Sequence, residues 1–377
     1  MKKIKVTDLK AGMCFSSPVF LDGENLLVPE KIEIKEKDIK RLIRWDIEYV
    51  ETEGSLLTQS DVDDSEDILG VYSGDSSVLR VYNKAISRLS VIFNDLREYS
   101  KGDKFEIDAI ITDIFSLLRD KPEQLKAITM TSVDPENDLV QSSLNCMIVS
   151  IILGRQLKII NSRLISLAVA ALLHDIGMTK IPQALLKKQD NLTPDELKII
   201  QSHPMYTYKL ITKSLKYQEE IARIALYHHE RWDGKGYPNG LSGKDIPVSS
   251  RIISVADAYG AMLKDRPYRG SMIGYQAMRE ILNDNSTRFD SNILKIFIKS
   301  MGIYPIGSLV ILNDSSIARV ILVHTEAPLR PSVQVLMTPA GRILNGKSEK
   351  IIDLLVEKKL FIVRAIRRDE IKTRDSK

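Results

Sequence analysis

Residues 164–182 read LISLAVAALLHDIGMTKIP. The first ten of these residues are apolar apart from one serine, which is typical of a helix in a protein core. His174 and Asp175 follow directly, and a glycine and a proline then interrupt the helical pattern. The sequence therefore predicts an imidazole and a carboxylate side by side at the end of a core helix.

The sequence around this stretch, residues 131–300, reads almost wholly as helix, because apolar residues recur at helical spacing. Prolines and glycines gather in 178–182 and in 233–247. The second cluster is a long polar loop inside a helical region, which makes it a candidate functional loop. Residues 78–130 show the same apolar spacing and predict a helical connector. We expect a mainly α protein with a helical bundle at its centre.

The two ends of the chain have different patterns. Residues 1–53 mix short apolar stretches with one predicted helix over 36–45, where Ile39, Leu42 and Ile43 would share a face, and predict a small N-terminal α+β module. Residues 54–77 are rich in Ser, Gly and Asp and predict an acidic linker. Residues 301–377 contain short β-branched runs separated by turns, and predict a small C-terminal β-rich module with a basic tail.

Composition excludes several classes of protein. At 377 residues the chain exceeds one typical domain, and 54 Lys and Arg against 50 Asp and Glu give no electrostatic case for nucleic-acid binding. Two cysteines cannot form a disulfide framework or a paired-cysteine zinc site, and they suit a reducing compartment. The longest apolar runs are shorter than the ~18 residues of a membrane span, and no secretory signal is evident. We expect a cytoplasmic protein with no membrane span.

The histidines indicate where the chemistry lies. Four of the five fall in the predicted helical region: His174, His203, His228 and His229. Imidazole and carboxylate together bind zinc, iron or manganese, and the Asp175 carboxylate has two oxygens with which to bridge two cations. Asp257 stands in an otherwise apolar stretch, where a buried charge needs a strong partner such as a metal. The spacing favours a dinuclear metal site; the alternative is a coincidence of histidines at helix ends.

A dinuclear site suits the hydrolysis of a phosphoester, because two cations acidify a shared water and neutralise phosphoryl charge. Arg266 and Arg269 lie just beyond Asp257 in the sequence, and their planar guanidinium groups suit non-reacting phosphate oxygens. The alternative is a pair of surface arginines.

Seven segments between residues 174 and 269 form one recognisable series. They are His174-Asp-Ile-Gly177, Lys180-Ile-Pro182, His203-Pro204, His228-His-Glu-Arg-Trp-Asp-Gly-Lys-Gly-Tyr-Pro238, Gly240-Leu-Ser-Gly243 with Ile246-Pro247, Arg251-Ile-Ile-Ser-Val-Ala-Asp257 and Asp265-Arg-Pro-Tyr-Arg269. In this order they resemble the HD-GYP family of bacterial cyclic di-GMP phosphodiesterases, a branch of the HD metal-dependent phosphohydrolases. The resemblance covers about residues 140–300, and its most specific part is the long string that begins at His228.

The resemblance implies a fold and a set of roles. The fold would be an HD-type helical bundle with a central metal site. Asp175 would bridge two divalent transition metals, iron or manganese being favoured; one would also be held by His203, His228 and His229, and the other by His174 and Asp257. Asp175, Arg266 and Arg269 would act in catalysis. The loop residues Asp233, Gly234, Gly236, Tyr237 and Pro238 would shape the substrate mouth and contact partner diguanylate cyclases, unless they simply form a tight turn.

Three positions depart from the family pattern. Ser142 stands where members carry a metal-binding histidine, and Asp138 stands four residues earlier, where members with three metals carry a glutamate. Asp138 could hold a third metal and compensate for Ser142. Met178 replaces the lysine that follows His-Asp-Ile-Gly and that is implied to neutralise substrate phosphate.

The resemblance implies hydrolysis of cyclic di-GMP to linear pGpG, with GMP as a further product left open. The alternative is a catalytically degenerate domain that acts as a cyclic di-GMP receptor or a cyclase-binding adaptor, which Ser142 and Met178 would favour. A third interpretation, an HD hydrolase for other nucleotides, leaves the Gly-Tyr-Pro loop unexplained. We favour the enzyme, because the other ligand positions are intact and each would be a costly buried polar group without a metal.

Overall fold

The computed structural model describes two compact units, Met1–Val71 and Tyr72–Lys377. The described residues are 2–10, 13, 15, 19–21, 26–28, 34, 39–40, 42–43, 47–55, 76–129, 138–188, 190–263, 274–283, 287–344 and 350–366. The linker predicted over 54–77 lies mostly outside them, so it stays a prediction.

The first unit contains an antiparallel sheet of four strands in the order β1-β4-β2-β3. The strands are β1 (Lys2–Lys5), β2 (Val19–Phe20), β3 (Leu26–Val28) and β4 (Tyr49–Thr52). The described residues of the predicted helix over 36–45 are helical, and Leu42 packs in the core of this unit. Ile43, which was predicted to share a face with Ile39 and Leu42, is 64% exposed, so it does not contribute to that core. The α+β character of the module is confirmed.

The second unit begins with the helical part of the chain, which confirms the mainly α class. Its α-helices are α1 (Ser76–Tyr99), α2 (Lys104–Asp120), α3 (Pro122–Ile128), α4 (Asp138–Gln156), α5 (Asn161–Leu173), α6 (Gln183–Leu186), α7 (Pro194–Ile200), α8 (His203–Lys209), α9 (Glu219–Leu226), α10 (Val248–Leu263), α11 (Gly274–Asn283) and α12 (Ser291–Met301). A 3₁₀ turn, Ile176–Lys180, follows α5.

Helices α4, α5 and α10 form the centre of this unit. Helix α5 is the apolar run seen in the sequence, and residues 167–173 are at most 1% exposed. The segment Asn161–Lys180 has the length and apolar character of a membrane span, but 67% of that window is buried inside the protein. We interpret it as a core helix with its following turn.

Local sequence sets the helix boundaries. Asp103 caps α2 by accepting hydrogen bonds from the backbone amides of Phe105 and Glu106. Thr193 and Glu196 form a reciprocal capping box at the start of α7. Asp290 accepts from the amide of Asn292 and caps α12.

The chain ends in a five-stranded antiparallel sheet of order β8-β7-β6-β5-β9. The strands are β5 (Leu309–Leu312), β6 (Ile317–Leu322), β7 (Ser332–Met337), β8 (Lys350–Asp353) and β9 (Ile362–Ile366). Val310, Val320 and Val333 are buried in its own small core. This confirms the β-rich C-terminal module; the basic tail beyond residue 366 lies outside the described residues.

Candidate metal centre

Three histidines of the helical part make the same local hydrogen bond through Nδ1. The Nδ1–H of His174 donates to the carbonyl oxygen of Ala171 at 2.8 Å, three residues earlier. His203 and His228 donate in the same way to the carbonyls three residues before them, at 2.7 and 2.6 Å. Because Nδ1 carries the donated proton, Nε2 is the ring nitrogen that can bind a metal when it is not protonated. All three imidazoles therefore present Nε2 as a potential metal ligand.

The Asp175 carboxylate lies between these imidazoles, and its two oxygens face different partners. Oδ1 is 3.1 Å from Nε2 of His203 and 3.5 Å from Nε2 of His228. Oδ2 is 3.4 Å from Nε2 of His174, which in turn lies 3.5 Å from Oδ1 of Asp257 on α10. This is the arrangement that a carboxylate bridging two cations requires.

The ligand atoms converge in two groups. In each group the candidate atoms lie within 4.8 Å of one another. One group is Asp175, His203, His228 and His229, and the other is His174, His228 and Asp257. All six residues singled out in the sequence for the two metals are thus brought together.

The donor set fits a divalent transition metal. Nε2 of His174 and Oδ1 of Asp175 are buried and have no hydrogen-bond partner, although ring nitrogens approach Oδ1 at 3.1 and 3.5 Å. Buried polar atoms are normally hydrogen-bonded, so these two unpaired atoms in one cluster indicate that a bound cation is their partner. Imidazole nitrogen and carboxylate oxygen are the ligands of zinc, iron and manganese.

The charges of the cluster are strongly coupled. Burial is the largest single influence and would lower the pKa of His174, but Asp175, Cys146 and Asp257 together outweigh it and raise the pKa well above its ordinary value. Burial would raise the pKa of Asp175, but His174 and the neighbouring imidazoles hold it well below its ordinary value. Burial lowers the pKa of both His228 and His229, which keeps these imidazoles neutral, the form that binds metal.

A single threonine joins the His174 turn to α8. The hydroxyl of Thr207 accepts from the amide of Gly177 at 2.9 Å and donates to the carbonyl of His174 at 2.9 Å. A Cβ on Gly177 would lie 2.0 Å from the carbonyl oxygen of His203, so only glycine allows this approach. These contacts place the His174-Asp175 pair against the helix that begins at His203.

The loop after His229 is tied to the metal ligands. Glu230 is buried and its two carboxylate oxygens accept hydrogen bonds from the amides of Asn239 (2.7 Å) and Leu241 (3.0 Å). A Cβ on Gly236 would lie within 2.5 Å of backbone atoms of residues 229–231. The ring of Tyr237 lies 4.8 Å from that of His229, and burial raises the pKa of its hydroxyl. The predicted loop therefore folds back beside the metal ligands.

A cavity of about 360 Å³ opens at this point. Its lining includes His229, Asp257 and Tyr237, which the sequence had singled out. Three cations that the sequence had not singled out as functional residues also line it: Arg231, Lys235 and Arg288. Arg231 and Lys235 lie inside the loop motif that begins at His228, so their place in that motif could have indicated a role. No sequence motif pointed to Arg288.

The three departures have clear positions. Asp138 is exposed at the first turn of α4, outside both ligand groups, and Ser142 donates to its backbone carbonyl at 2.6 Å and to its carboxylate at 3.2 Å. Lys180 donates to the Arg97 carbonyl at 2.8 Å, so it does not take the place of the lysine missing at 178. Arg266 and Arg269 lie outside the described residues.

Comparison with known proteins identifies the parts of the chain. Residues 116–293 match the HD domain family, and residues 309–374 match the KOW domain associated with HD domains. The chain is 26% identical to cyclic di-GMP phosphodiesterase PdeB of Borreliella burgdorferi over 94% of this chain and 93% of that protein. It is 28% identical to cyclic di-GMP phosphodiesterase PA4108 of Pseudomonas aeruginosa, over 72% of this chain and 65% of that protein. A solved HDGYP protein, Bd1817 of Bdellovibrio bacteriovorus, covers 78% of this chain and 97% of its own, with a TM-score of 0.49 and 16% identity.

The helical region is therefore an HD domain, a metal-dependent phosphohydrolase fold that binds divalent metal. The chain is similar to proteins named cyclic di-GMP phosphodiesterases, and it carries Gly236, Tyr237 and Pro238 in the loop beside the candidate metal ligands.

Proposed function

We propose that this protein is a metal-dependent phosphodiesterase that hydrolyses cyclic di-GMP to linear pGpG. The observation that carries the proposal is the convergence of five imidazole and carboxylate side chains on Asp175, beside a cavity lined by three cations. The reaction adds one water across a P–O3′ bond, which leaves a 5′-phosphate on one nucleotide and a 3′-hydroxyl on the other. Continued hydrolysis of pGpG would give GMP.

The roles of the ligands follow from their positions. Asp175 would bridge two cations through its separate oxygens, since Oδ1 faces His203 and His228 and Oδ2 faces His174. His229 would complete one site and Asp257 the other. Two bound cations supply a nucleophile at neutral pH and neutralise charge on the phosphoryl oxygens. Arg266 and Arg269 would hold phosphate oxygens that do not react.

We favour iron or manganese over zinc, because carboxylates bridging two cations amid several imidazoles suit metals that accept more than four ligands. A third cation would require Asp138, which lies on α4 outside the two ligand groups. We therefore propose two bound cations, and a third only if Asp138 acts as a ligand.

A receptor without activity is the second candidate. Met178 favours it because methionine cannot neutralise a substrate phosphate. Ser142 favours it because its hydroxyl is not an imidazole ligand and donates hydrogen bonds to Asp138. In that case the cavity would bind cyclic di-GMP and the metal cluster would only stabilise the fold. The loop of residues 233–238 would also serve as the contact for a diguanylate cyclase, since Lys235 is exposed on it.

The decisive experiment is anaerobic incubation of iron- or manganese-loaded protein with cyclic di-GMP, followed by chromatography of the products. Asp175→Ala serves as the inactive control. Three relatives are named 3′3′-cGAMP-specific phosphodiesterases of Vibrio cholerae, so 3′3′-cGAMP belongs in the same panel. Metal-dependent pGpG supports the proposal; nucleotide binding without product would replace it by the receptor.

A further inference from the structure

The cavity beside the metal centre is lined by charged and by uncharged polar side chains. The charged ones are the candidate metal ligands and the cations described above. The uncharged ones are the Gln201 carboxamide, the Ser254 hydroxyl and the Tyr237 phenol. Metals and cations bind phosphate oxygens, so the charged set accounts for the phosphate groups of a substrate. Gln201 and Ser254 have no part in the mechanism proposed above.

Both side chains flank a candidate metal ligand. Gln201 follows α7 directly, with its backbone amide donating to the Leu197 carbonyl at 2.8 Å, and His203 begins α8 two residues later. Ser254 precedes Asp257 by about one turn of α10, so these two side chains are on the same face of the helix. Two separate parts of the fold therefore bring an uncharged polar group to the metal side of the cavity.

The fold does not use these two polar groups. In the part of the chain that the structure describes, neither the Gln201 carboxamide nor the Ser254 hydroxyl makes a hydrogen bond. A serine inside a helix ordinarily donates to the carbonyl four residues earlier, as Ser142 and Ser166 do here. Both Gln201 and Ser254 are half-buried, and a partly desolvated polar group without a partner costs free energy. A ligand in the cavity would satisfy them.

The chemistry of this uncharged set suits a nucleobase. A purine edge carries a hydrogen-bond donor beside an acceptor, and a carboxamide offers one of each in return. Glutamine pairs in this way with N6 and N7 of adenine, and the same group can donate to O6 of guanine and accept from its N1–H. The Tyr237 ring in the same lining supplies an aromatic surface, which base binding also uses. Because ribose joins each base to a phosphodiester, a base accompanies the phosphate that reaches the metals.

We propose that Gln201, together with Ser254, binds the edge of one purine base of the cyclic dinucleotide. The inference rests on the proposed function for the identity of the ligand. It gives the site a group that contacts a base, whereas the metals and cations contact phosphate. A carboxamide can present its donor and acceptor in either order, so it fits guanine and adenine, but it gains nothing from a phosphodiester that has no base.

The binding test compares Gln201→Met with Gln156→Met, which changes an exposed glutamine at the end of α4 that does not line the cavity. Methionine keeps the length of the side chain and removes the carboxamide. Metal-loaded full-length protein is titrated calorimetrically with the phosphorothioate analogue of cyclic di-GMP, which resists hydrolysis. We expect Gln201→Met to weaken binding by a factor of about 5 to 50. Gln156→Met should bind as the wild type does. Unchanged affinity in Gln201→Met, or a fall in its metal content, would overturn the inference.

Kinetics distinguish a contact with the base from support of the metal centre. Bis(4-nitrophenyl) phosphate is a phosphodiester without a base. The ratio of kcat/KM for cyclic di-GMP to kcat/KM for this ester should fall in Gln201→Met by about the factor seen in binding, mainly through KM. Ser254→Ala should lower the ratio in the same direction by a smaller factor, because a hydroxyl contributes a single hydrogen bond. An equal loss on both esters would place Gln201 in support of the metal centre and overturn the inference.

The two proposals fail in different ways. If the wild type binds the analogue but cleaves neither ester, the phosphodiesterase proposal fails while the binding comparison still decides the role of Gln201. If the wild type forms pGpG and Gln201→Met binds the analogue equally well, only the role of Gln201 fails. A wild type that does not bind the analogue would overturn the inference.

Discussion

The ammonium group of Lys180 donates a hydrogen bond to the carbonyl oxygen of Arg97 at 2.8 Å. Arg97 lies in the last turn of α1, where backbone carbonyls lack intrahelical partners and attract cations. The lysine of the turn after Asp175 thus serves the connector helix and not the substrate. It also couples the end of α1 directly to the turn that carries the metal ligands.

Asp175→Asn should abolish the dinuclear site. The carboxamide keeps the shape of the side chain but loses the charge and one of the two oxygens that face His174 and His203. We expect the metal content after anaerobic loading to fall from about two ions per chain to fewer than one. Elemental analysis measures this, with Asp195→Asn on the exposed surface of α7 as the matched control. Two ions retained in Asp175→Asn would refute the bridging role.

Thr207→Val should destabilise the protein although it preserves the shape of the side chain. Valine leaves the buried Gly177 amide and one bond of the His174 carbonyl unpaired, which costs about 1–3 kcal/mol of unfolding free energy. Urea denaturation measures the loss. Thr207→Ser should restore most of it, and Thr112→Val on the exposed side of α2 should change little. Equal stability of both valine variants would show that the bridge is unimportant.

Gly177→Ala and Gly260→Ala should act in opposite directions. A Cβ at 177 meets the His203 carbonyl at 2.0 Å and must displace α8, so metal binding and stability should both fall. A Cβ at 260, inside α10, meets no atom of a described residue within 4 Å, and alanine should stabilise that helix by about 0.5–1 kcal/mol. Thermal unfolding with and without metal compares the two. A harmless alanine at 177 would contradict the close approach.

Ser142→His should tighten metal binding. Burial raises the pKa of the Cys146 thiol, and the nearby His174 opposes that rise. Position 142 lies one helical turn before Cys146, so an imidazole there is on the face of α4 that passes the metal centre. Competition with a chromophoric chelator measures the affinity. Weaker binding in Ser142→His would mean that Ser142 and Asp138 form a working variant of the site. Ser162→His, at an exposed position of α5, controls for a surface imidazole.

Metal binding near neutral pH should release protons. The pKa of His174 is raised well above its ordinary value by Asp175, so without metal this imidazole is protonated at pH 7. A cation must displace that proton, so affinity rises with pH until it passes the pKa of His174. Calorimetry in buffers of different ionisation enthalpy should detect release of about one proton per chain. No release would show that His174 is neutral or is not a ligand.

Much of the metal centre could be predicted from the sequence because histidine and aspartate are chemically specific and stand at helix ends. His174 and Asp175 follow an apolar run, and His228 and His229 open a recognisable loop motif. Thr207 and Arg288 could not be predicted in this way. Their roles depend on tertiary contacts with Gly177 and Trp232, which are 30 and 56 residues away in the sequence, and no local pattern encodes such contacts. The exposure of Ile43 has a related cause, since helical spacing alone does not define how wide the buried face is.

The buried Glu230 has a consequence for any attempt to redesign this site. Because it follows His228 and His229 directly and binds the amides of Asn239 and Leu241, the stretch from 228 to 241 behaves as one closed piece. If only the middle of this stretch were exchanged with that of a paralogue, Glu230 could lose its hydrogen bonds to the amides of Asn239 and Leu241. The smallest segment that can be transplanted intact therefore includes two of the metal ligands, so substrate mouth and metal affinity would be inherited together.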